Sequence, residues 1–141
     1  MQHDQMIGKV QALAQLPDRG SAEQATRAVL RTLAERLPSG LADHMAAQLP
    51  SALGAAVRET VGSSADDHPG TSGERFDLTV FAGRIAGRAE TDEDTAVREA
   101  AAVLEVLDAA LAPELTEKVA GALPADIRAL LPAGRTTDDT D

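Results

Sequence analysis

One stretch decides the fold, and it reads Ala28-Val29-Leu30-Arg31-Thr32-Leu33-Ala34-Glu35-Arg36-Leu37. Its apolar pattern occurs a second time, because adding 74 to the residue numbers gives Ala102, Val103, Leu104, Leu107 and Leu111. When residues 18–50 are aligned without gaps on residues 92–124, 11 of 33 positions are identical, and nearly all of these are apolar or structural. An internal repeat of this length sets the architecture of a chain. We therefore predict a duplicated fold in which the two stretches superpose with the same offset throughout.

The composition limits the class of protein. A length of 141 residues with 43% hydrophobic residues suits one compact domain or two very small ones. The only aromatic residues are Phe76 and Phe81, so Leu, Val, Ile, Met and Ala must fill the core. The chain has no Cys, which excludes a disulfide framework and makes the cytoplasm the simplest location. No apolar run reaches the ~18 residues of a membrane span, and residues 1–5 do not resemble a signal peptide.

The net charge argues against nucleic-acid binding. The chain has 23 acidic and 13 basic residues, which gives a formal net charge of -10. Such a surface repels phosphate backbones, and sequence-independent binding depends on attracting them. The nearest candidates for a basic face are Arg27 and Arg31 in the first half and Arg84 and Arg88 in the second. We expect no nucleic-acid partner.

Helical spacing of apolar residues predicts four helices in the first half. The first runs from about Asp4 to Leu16 and ends before Pro17. The second runs to Leu37, with Asp18 or Ser21 as the N-cap. The third and fourth are marked by these apolar residues: Leu41, Met45 and Leu49, then Leu53, Val57 and Val61. Residues 62–73 are rich in Gly, Ser and Asp and have no apolar period, so they are predicted to be a flexible linker.

The second half predicts a similar series of helices. Asp77 is the expected N-cap of the fifth helix, with Phe76 and Phe81 as a hydrophobic staple around it. The sixth helix extends to Leu111 and is apolar around most of its circumference, which indicates a central position. The seventh begins near Pro113, and a short last helix ends at Pro132. The remaining helical markers are these: Leu115, Val119 and Leu123, then Ile127, Leu130 and Leu131.

Local polar patterns predict helix starts and surface ion pairs. In a capping box a hydroxyl residue is followed three positions later by a polar partner. This spacing occurs at Ser21–Gln24 and at Thr91–Asp94. Favourable i,i+4 pairs are predicted as follows: Glu23–Arg27, Asp94–Arg98 and Glu114–Lys118.

These observations predict an all-α helical bundle, with no strand. Residues 1–131 form a single domain built from two tandem pseudo-symmetric repeats of three to four helices each. Repeat one is 4–61, the linker is 62–73 and repeat two is 76–131. Residues 132–141 are expected to be a disordered acidic tail. One domain is favoured because a half of about 60 residues buries only ~60% of its unfolded surface.

Few residues suggest chemistry. The chain has three histidines, His3, His44 and His68, and none has the spacing of a zinc site. We expect His44 to be an ordinary surface residue. Asp66, Asp67 and His68 lie in the predicted linker, where flexible ligands do not preorganise a metal site. The acidic run 92–94 is explained by the dipole of the helix that it begins.

No nucleophile or phosphate-binding signature is present. We therefore assign no catalytic, cofactor-binding or metal-binding residue, and we expect no cofactor.

The repeated motifs resemble a known family. They are Ala-Val-Leu-x-x-Leu, a Leu-Pro or Ala-Pro break, and Leu-x-x-x-Met/Val-Ala-x-x-Leu-Pro, each present twice. With these motifs the chain resembles the bacterial family named domain of unknown function 2267, over roughly Asp4 to Leu131. Because the motifs concern packing, the resemblance implies a duplicated helical fold and supplies no catalytic residue.

Two hypotheses on function follow. The first is a small cytoplasmic, non-catalytic module that binds a protein partner or itself, since apolar grooves between helices accept another helix. The alternative is a small-molecule-binding protein or an enzyme with a pocket between the two repeats, because halves of this kind often meet around a cleft. An exposed apolar patch favours the first hypothesis, and an enclosed pocket with converging polar groups favours the second.

Overall fold

A computed structural model describes residues 1–67 and 77–131 and confirms the all-α class for them. Pro17, Pro38, Pro50, Pro113 and Pro124 all lie between these helices or at their first positions. The helices of the described residues are α1 (His3–Ala14), α2 (Arg19–Arg36), α3 (Ser39–Gln48), α4 (Ser51–Asp67), α5 (Leu78–Ala89), α6 (Glu93–Ala110), α7 (Pro113–Ala122) and α8 (Ala125–Arg128).

Three helices, α2, α5 and α6, have an aspartate as N-cap. Asp18 accepts a hydrogen bond from the Ser21 amide at 2.7 Å, and Asp92 accepts one from the Thr95 amide at 2.7 Å. Asp77 caps α5 in the same way, as predicted. These bonds satisfy amides that the first turn leaves without partners. They also lower the pKa of Asp18 and of Asp92, chiefly through the backbone hydrogen bond.

Both predicted capping boxes are wrong. At the start of α2 the N-cap is Asp18, and at the start of α6 it is Asp92. Each aspartate is a strong capping residue close to the hydroxyl residue proposed for the box, and the carboxylate takes the amide. Gln24, the second member of one box, donates instead from Nε2 to the Arg88 carbonyl oxygen at 3.4 Å, at the end of α5.

The element bounds repeat along the chain. Adding 74 to the bounds of α2 and α3 gives the bounds of α6 and α7, and adding 75 to those of α1 gives those of α5. The residues that end α1 and α5, Gln15 and Glu90, both take a left-handed conformation, with φ of 56° and 57°. Leu33 and Leu107, which share a place in the pattern, are both buried, as predicted. The superposition of the two stretches stays a prediction.

The two halves pack through each other's first helix. α1 contacts α6 as well as α2, and α5 contacts α2 as well as α6. In the first half α3 and α2 both pack on α4, while α3 also meets α7 of the second half. The buried side chains from both halves form one cluster, and α2 and α6 each contribute more of it than any other helix. The apolar faces of these two helices are therefore covered from both halves.

Polar contacts also cross between the halves. The Glu35 carboxylate on α2 binds both Arg84 and Arg88 on α5, and Arg88 donates to the Thr32 hydroxyl at 2.8 Å. Burial alone raises the pKa of Glu35, but the hydrogen bonds and charges of Arg88 and Arg84 outweigh it and hold the pKa below its ordinary value. Arg98 on α6 donates from Nε to the Ala14 carbonyl oxygen at 2.9 Å, at the end of α1.

The predicted linker begins too early. α4 continues to Asp67, so residues 62–67 are helical although they were predicted to be flexible. Gly and Ser lower helix propensity by about 1 kcal/mol or less each, which does not end a helix whose earlier turns pack in the core. Residues 68–73 of the linker, Phe76 of the predicted staple and the tail 132–141 lie outside the described residues.

Gly54 permits the close approach of α4 to α3. A Cβ atom at this position would lie 2.6 Å from the Ala46 carbonyl oxygen, which is backbone and cannot rotate away. We expect Gly54→Ala to lower the free energy of unfolding by about 1–3 kcal/mol through overpacking, despite the gain in helix propensity. Urea denaturation measures the change.

Gly8 in α1 is the matched control for Gly54. A Cβ atom there meets only the Arg19 side chain, at 4.0 Å. Gly8→Ala is expected to stabilise the protein by up to about 1 kcal/mol. A similar gain for Gly54→Ala would show that the contact between α3 and α4 is not tight.

Candidate functional site

A cleft lies where α3 of the first half meets α7 of the second. We name it the α3/α7 cleft. It has a volume of ≈ 300 Å³ and is lined by His44, Ala47, Gln48, Ala112, Glu114, Leu115 and Lys118.

Helical spacing places these side chains on facing surfaces. His44, Ala47 and Gln48 are separated by three and four residues, so they share one face of α3. Pro113 occupies the first position of α7, where its missing amide hydrogen is not needed. The Ala112 amide just before it donates to Gln48 Oε1 at 2.7 Å. This bond joins the end of α3 to the start of α7, and both of its residues line the cleft.

The cleft is lined by both apolar and polar side chains. The apolar ones, which we call the floor, are buried Leu115, half-buried Ala112 and exposed Ala47. The polar lining residues His44, Glu114 and Lys118, which we call the rim, are exposed, and none of the three forms an ion pair with another side chain of residues 1–61 or 77–131. The predicted Glu114–Lys118 pair is therefore absent. The arrangement offers apolar contact and hydrogen bonding to a partner that enters from solvent.

The sequence located the residues of this cleft only in part. His44 is exposed, as predicted, but its position at a cleft was missed. Its counterpart at the 74-residue offset is Lys118, and the two line the same cleft. When two similar halves meet around an axis, equivalent residues approach each other near that axis. This signal was present in the repeat, but it became informative only once the docking of the halves was known.

The four arginines considered for a basic face are all engaged with carboxylates. Arg27 binds Glu23 at 3.1 Å, which confirms the predicted i,i+4 pair. Arg31 binds Glu59 at 3.3 Å, while Arg84 and Arg88 bind Glu35 as described. The predicted Asp94–Arg98 pair is replaced by the bond from Arg98 to α1. None of these four arginines presents an unshared positive charge.

We therefore expect no affinity of this protein for duplex DNA at physiological salt. The net charge of -10 opposes the counterion-release term that supplies non-specific affinity. An electrophoretic mobility assay with a random duplex checks this expectation, and retardation of the DNA at micromolar protein would contradict it.

Metal sites and membrane-spanning helices are both absent from the described part of the chain. The side chains of residues 1–61 and 77–131 include no group of three His, Asp or Glu placed to hold a metal ion. The side chains of Asp66 and Asp67 and all of His68 lie outside that part. None of its helices combines the length and apolarity needed to cross a lipid bilayer.

Comparison with known proteins identifies the family. The family model described as "Uncharacterized conserved protein (DUF2267)" matches residues 3–130, which include all eight of the helices given above. The chain belongs to the DUF2267 family. The resemblance seen in the repeated motifs is thereby confirmed, and the DUF2267 match spans both halves rather than one. No curated protein matches the chain.

Proposed function

We propose that this DUF2267 protein is a non-catalytic interaction module that binds a protein partner or a second copy of itself through the α3/α7 cleft. The observation that supports this proposal is the cleft itself, which both halves build and which opens to solvent. Its floor of Ala47, Ala112 and Leu115 offers apolar contact, and its rim offers unpaired polar groups. Protein-binding surfaces commonly combine an apolar centre with a polar rim.

The ion pairs elsewhere on the surface support the choice of this cleft. Arg19, Arg27, Arg31 and Arg58 are each paired with a carboxylate of the same chain. The rim groups of the cleft form no ion pair with the side chains of residues 1–61 and 77–131, so binding a partner there does not require breaking an ion pair within that part of the chain. Leu13 and Val80, the exposed large apolar side chains of residues 1–61 and 77–131, belong to different helices. A cleft is therefore a better candidate than a broad apolar patch.

The cytoplasm is the proposed location. The absence of Cys supports it, since small secreted domains commonly depend on disulfides.

Ala47→Arg tests the proposal, because a long charged side chain at this exposed position fills the cleft without entering the core. Ala109→Arg is the matched control, since Ala109 is an exposed alanine on another helix, α6. Sedimentation of the wild type and both variants over a range of concentrations measures self-association. We expect any dimer of the wild type to persist in Ala109→Arg and to be lost in Ala47→Arg.

If the wild type stays monomeric, the same three proteins serve as baits for a partner from the source cells. The protein recovered is then purified and its affinity measured by calorimetry. Ala47→Arg should weaken binding by about tenfold or more, as expected at the centre of an interface, while Ala109→Arg leaves it unchanged. Equal affinity of all three proteins would overturn the proposal.

The cleft also favours a second candidate, a small-molecule-binding protein. Its volume of ≈ 300 Å³ is at the lower end of ligand pockets, and His44, Gln48, Glu114 and Lys118 converge on it. Native mass spectrometry of the gently purified protein tests this candidate. A bound small molecule in the wild type and Ala109→Arg that is lost in Ala47→Arg would support it over a protein partner.

A further inference from the structure

Glu99 on α6 is a carboxylate inside the shared core. Its side chain is only 4% exposed, and Oε1 has no hydrogen-bond partner. At the 74-residue offset the first half has Ala25, which is fully buried. The second half therefore buries an acid where the first half buries a methyl group. Buried carboxylates without partners are rare because removing a charge from water is unfavourable.

The helices packed on α6 do not neutralise this acid. They are α1, α2, α5 and α7. Their charged or titratable side chains are as follows: His3, Asp4 and Lys9 on α1; Arg19, Glu23, Arg27, Arg31, Glu35 and Arg36 on α2; Arg84 and Arg88 on α5; Glu114, Glu117 and Lys118 on α7. Most of those on α1, α2 and α5 form ion pairs with one another or with Glu59. The exceptions are exposed Lys9, Arg36, and His3, whose Nε2 lies 3.7 Å from Glu23 without a hydrogen bond. The charged side chains on α7 are exposed.

Two charged groups act on Glu99, and both lie on α6 or at its cap. Burial is the largest influence and raises the pKa of Glu99, Arg98 lowers it, and Asp92 raises it further, so the pKa stands above its ordinary value of 4.5. Arg98 is itself bonded to the Ala14 carbonyl oxygen, and Asp92 is bonded to the Thr95 amide. Neither supplies the missing partner of Oε1.

We propose that Glu99 is a proton-operated weak point of the core, which holds α6 firmly against its neighbours when protonated and loosens that packing when ionised. The protonated acid is neutral and fits among apolar groups. Ionisation places a charge on a side chain that is almost fully covered and whose Oε1 has no hydrogen-bond partner, and a shift or opening of α6 would hydrate it. The device acts on the helix that contacts α1, α2, α5 and α7, so it affects the contact between the two halves.

The direction of the pH dependence follows from the raised pKa. Below 4.5, the ordinary value, the acid is protonated in both the unfolded and the folded chain, and its contribution to stability is fully present. As the pH rises, the unfolded chain releases the proton first, so unfolding becomes easier. The contribution is lost as the pH passes through the pKa of the folded protein, and above that value the loss is constant.

Glu99→Gln tests the proposal because it keeps the shape of the side chain and removes the proton. Glu105→Gln is the control, an exposed glutamate on the same helix. Urea unfolding of the three proteins is followed from about pH 4 to about pH 8. We expect the unfolding equilibrium constant of the wild type to rise relative to Glu99→Gln as the pH increases, by about tenfold for each pH unit between the two pKa values of Glu99.

The control should follow the wild type at every pH. If the glutamine amide packs poorly, it changes the unfolding equilibrium constant by the same factor at every pH. The dependence of that constant on pH therefore still reports on the proton of Glu99. The proposal would be overturned if the unfolding equilibrium constants of the wild type and Glu99→Gln differed by the same factor at every pH measured.

Amide hydrogen exchange of the wild type and Glu99→Gln, both measured at about pH 8, shows which helix is loosened. Exchange in α6 should be faster in the wild type than in Glu99→Gln, and equal rates in α6 would also overturn the proposal. Glu99→Ala, which restores the residue type found at position 25, provides a second variant and should also lack the pH dependence.

Discussion

Residues 1–65 expressed alone are expected to be largely unfolded or self-paired. In the whole chain α1 packs on α6, and α2 is covered partly by α5, so the fragment loses cover on two of its helices. It also leaves Glu35 without Arg84 and Arg88. A chain of about 60 residues buries only ~60% of its unfolded surface, and its stability is marginal even with good packing. Circular dichroism during urea titration, together with sedimentation, measures the outcome.

The full-length chain cleaved between Gly62 and Gly73 is the control for this fragment. We predict that the two pieces stay associated, since the side chains that join the halves remain present. A monomeric fragment 1–65 that unfolds cooperatively would contradict the prediction of a single domain, as would separation of the cleaved pieces in dilute buffer.

Leu33→Ala and Leu107→Ala are each expected to lower the free energy of unfolding by about 2–5 kcal/mol. The two side chains are 0% and 2% exposed, so truncation loses transfer free energy and leaves a cavity. Leu13→Ala is the matched control because Leu13 is 46% exposed, and its effect should stay within about 0.5 kcal/mol. Urea denaturation of the three variants gives the comparison. If Leu33→Ala or Leu107→Ala lowered the free energy of unfolding no more than Leu13→Ala does, the result would contradict the burial of that leucine.

The helices and the core were accessible from the sequence because short-range patterns determine them. Apolar residues at helical spacing marked the buried faces, and prolines marked the breaks. The wrong predictions likewise concerned short-range features, namely two N-caps and the end of one helix. Two capping residues stood close together at Asp18 and Ser21 and again at Thr91 and Asp92, and the sequence did not show which one takes the amide. The end of α4 was misplaced because its composition is poor in helix formers while its earlier turns are held by packing.

The α3/α7 cleft and the buried acid depend on long-range contacts. The cleft exists only because α3 of one half meets α7 of the other, and no spacing within either helix predicts that meeting. Glu99 was open to prediction in part, since it lies four residues before Val103 and three after Ala96, on the apolar face of α6. An acidic residue on such a face indicates a buried charge.

The contacts made by Glu35 have a consequence for how the chain folds. Because the two halves have the same apolar pattern, α1 and α5 each fit a similar surface. A misfolded chain in which these two helices exchange places is therefore a competitor of the native fold. The polar residues distinguish them. At the offset positions α1 has Leu13 where α5 has Arg88, and α6 has Ala109 where α2 has Glu35. At the place of Arg84, however, α1 has the basic residue Lys9. A mispaired chain would therefore cost Glu35 one of its two cationic partners and leave Arg88 facing an alanine, and the loss of these contacts favours the native pairing over its near-symmetric competitor.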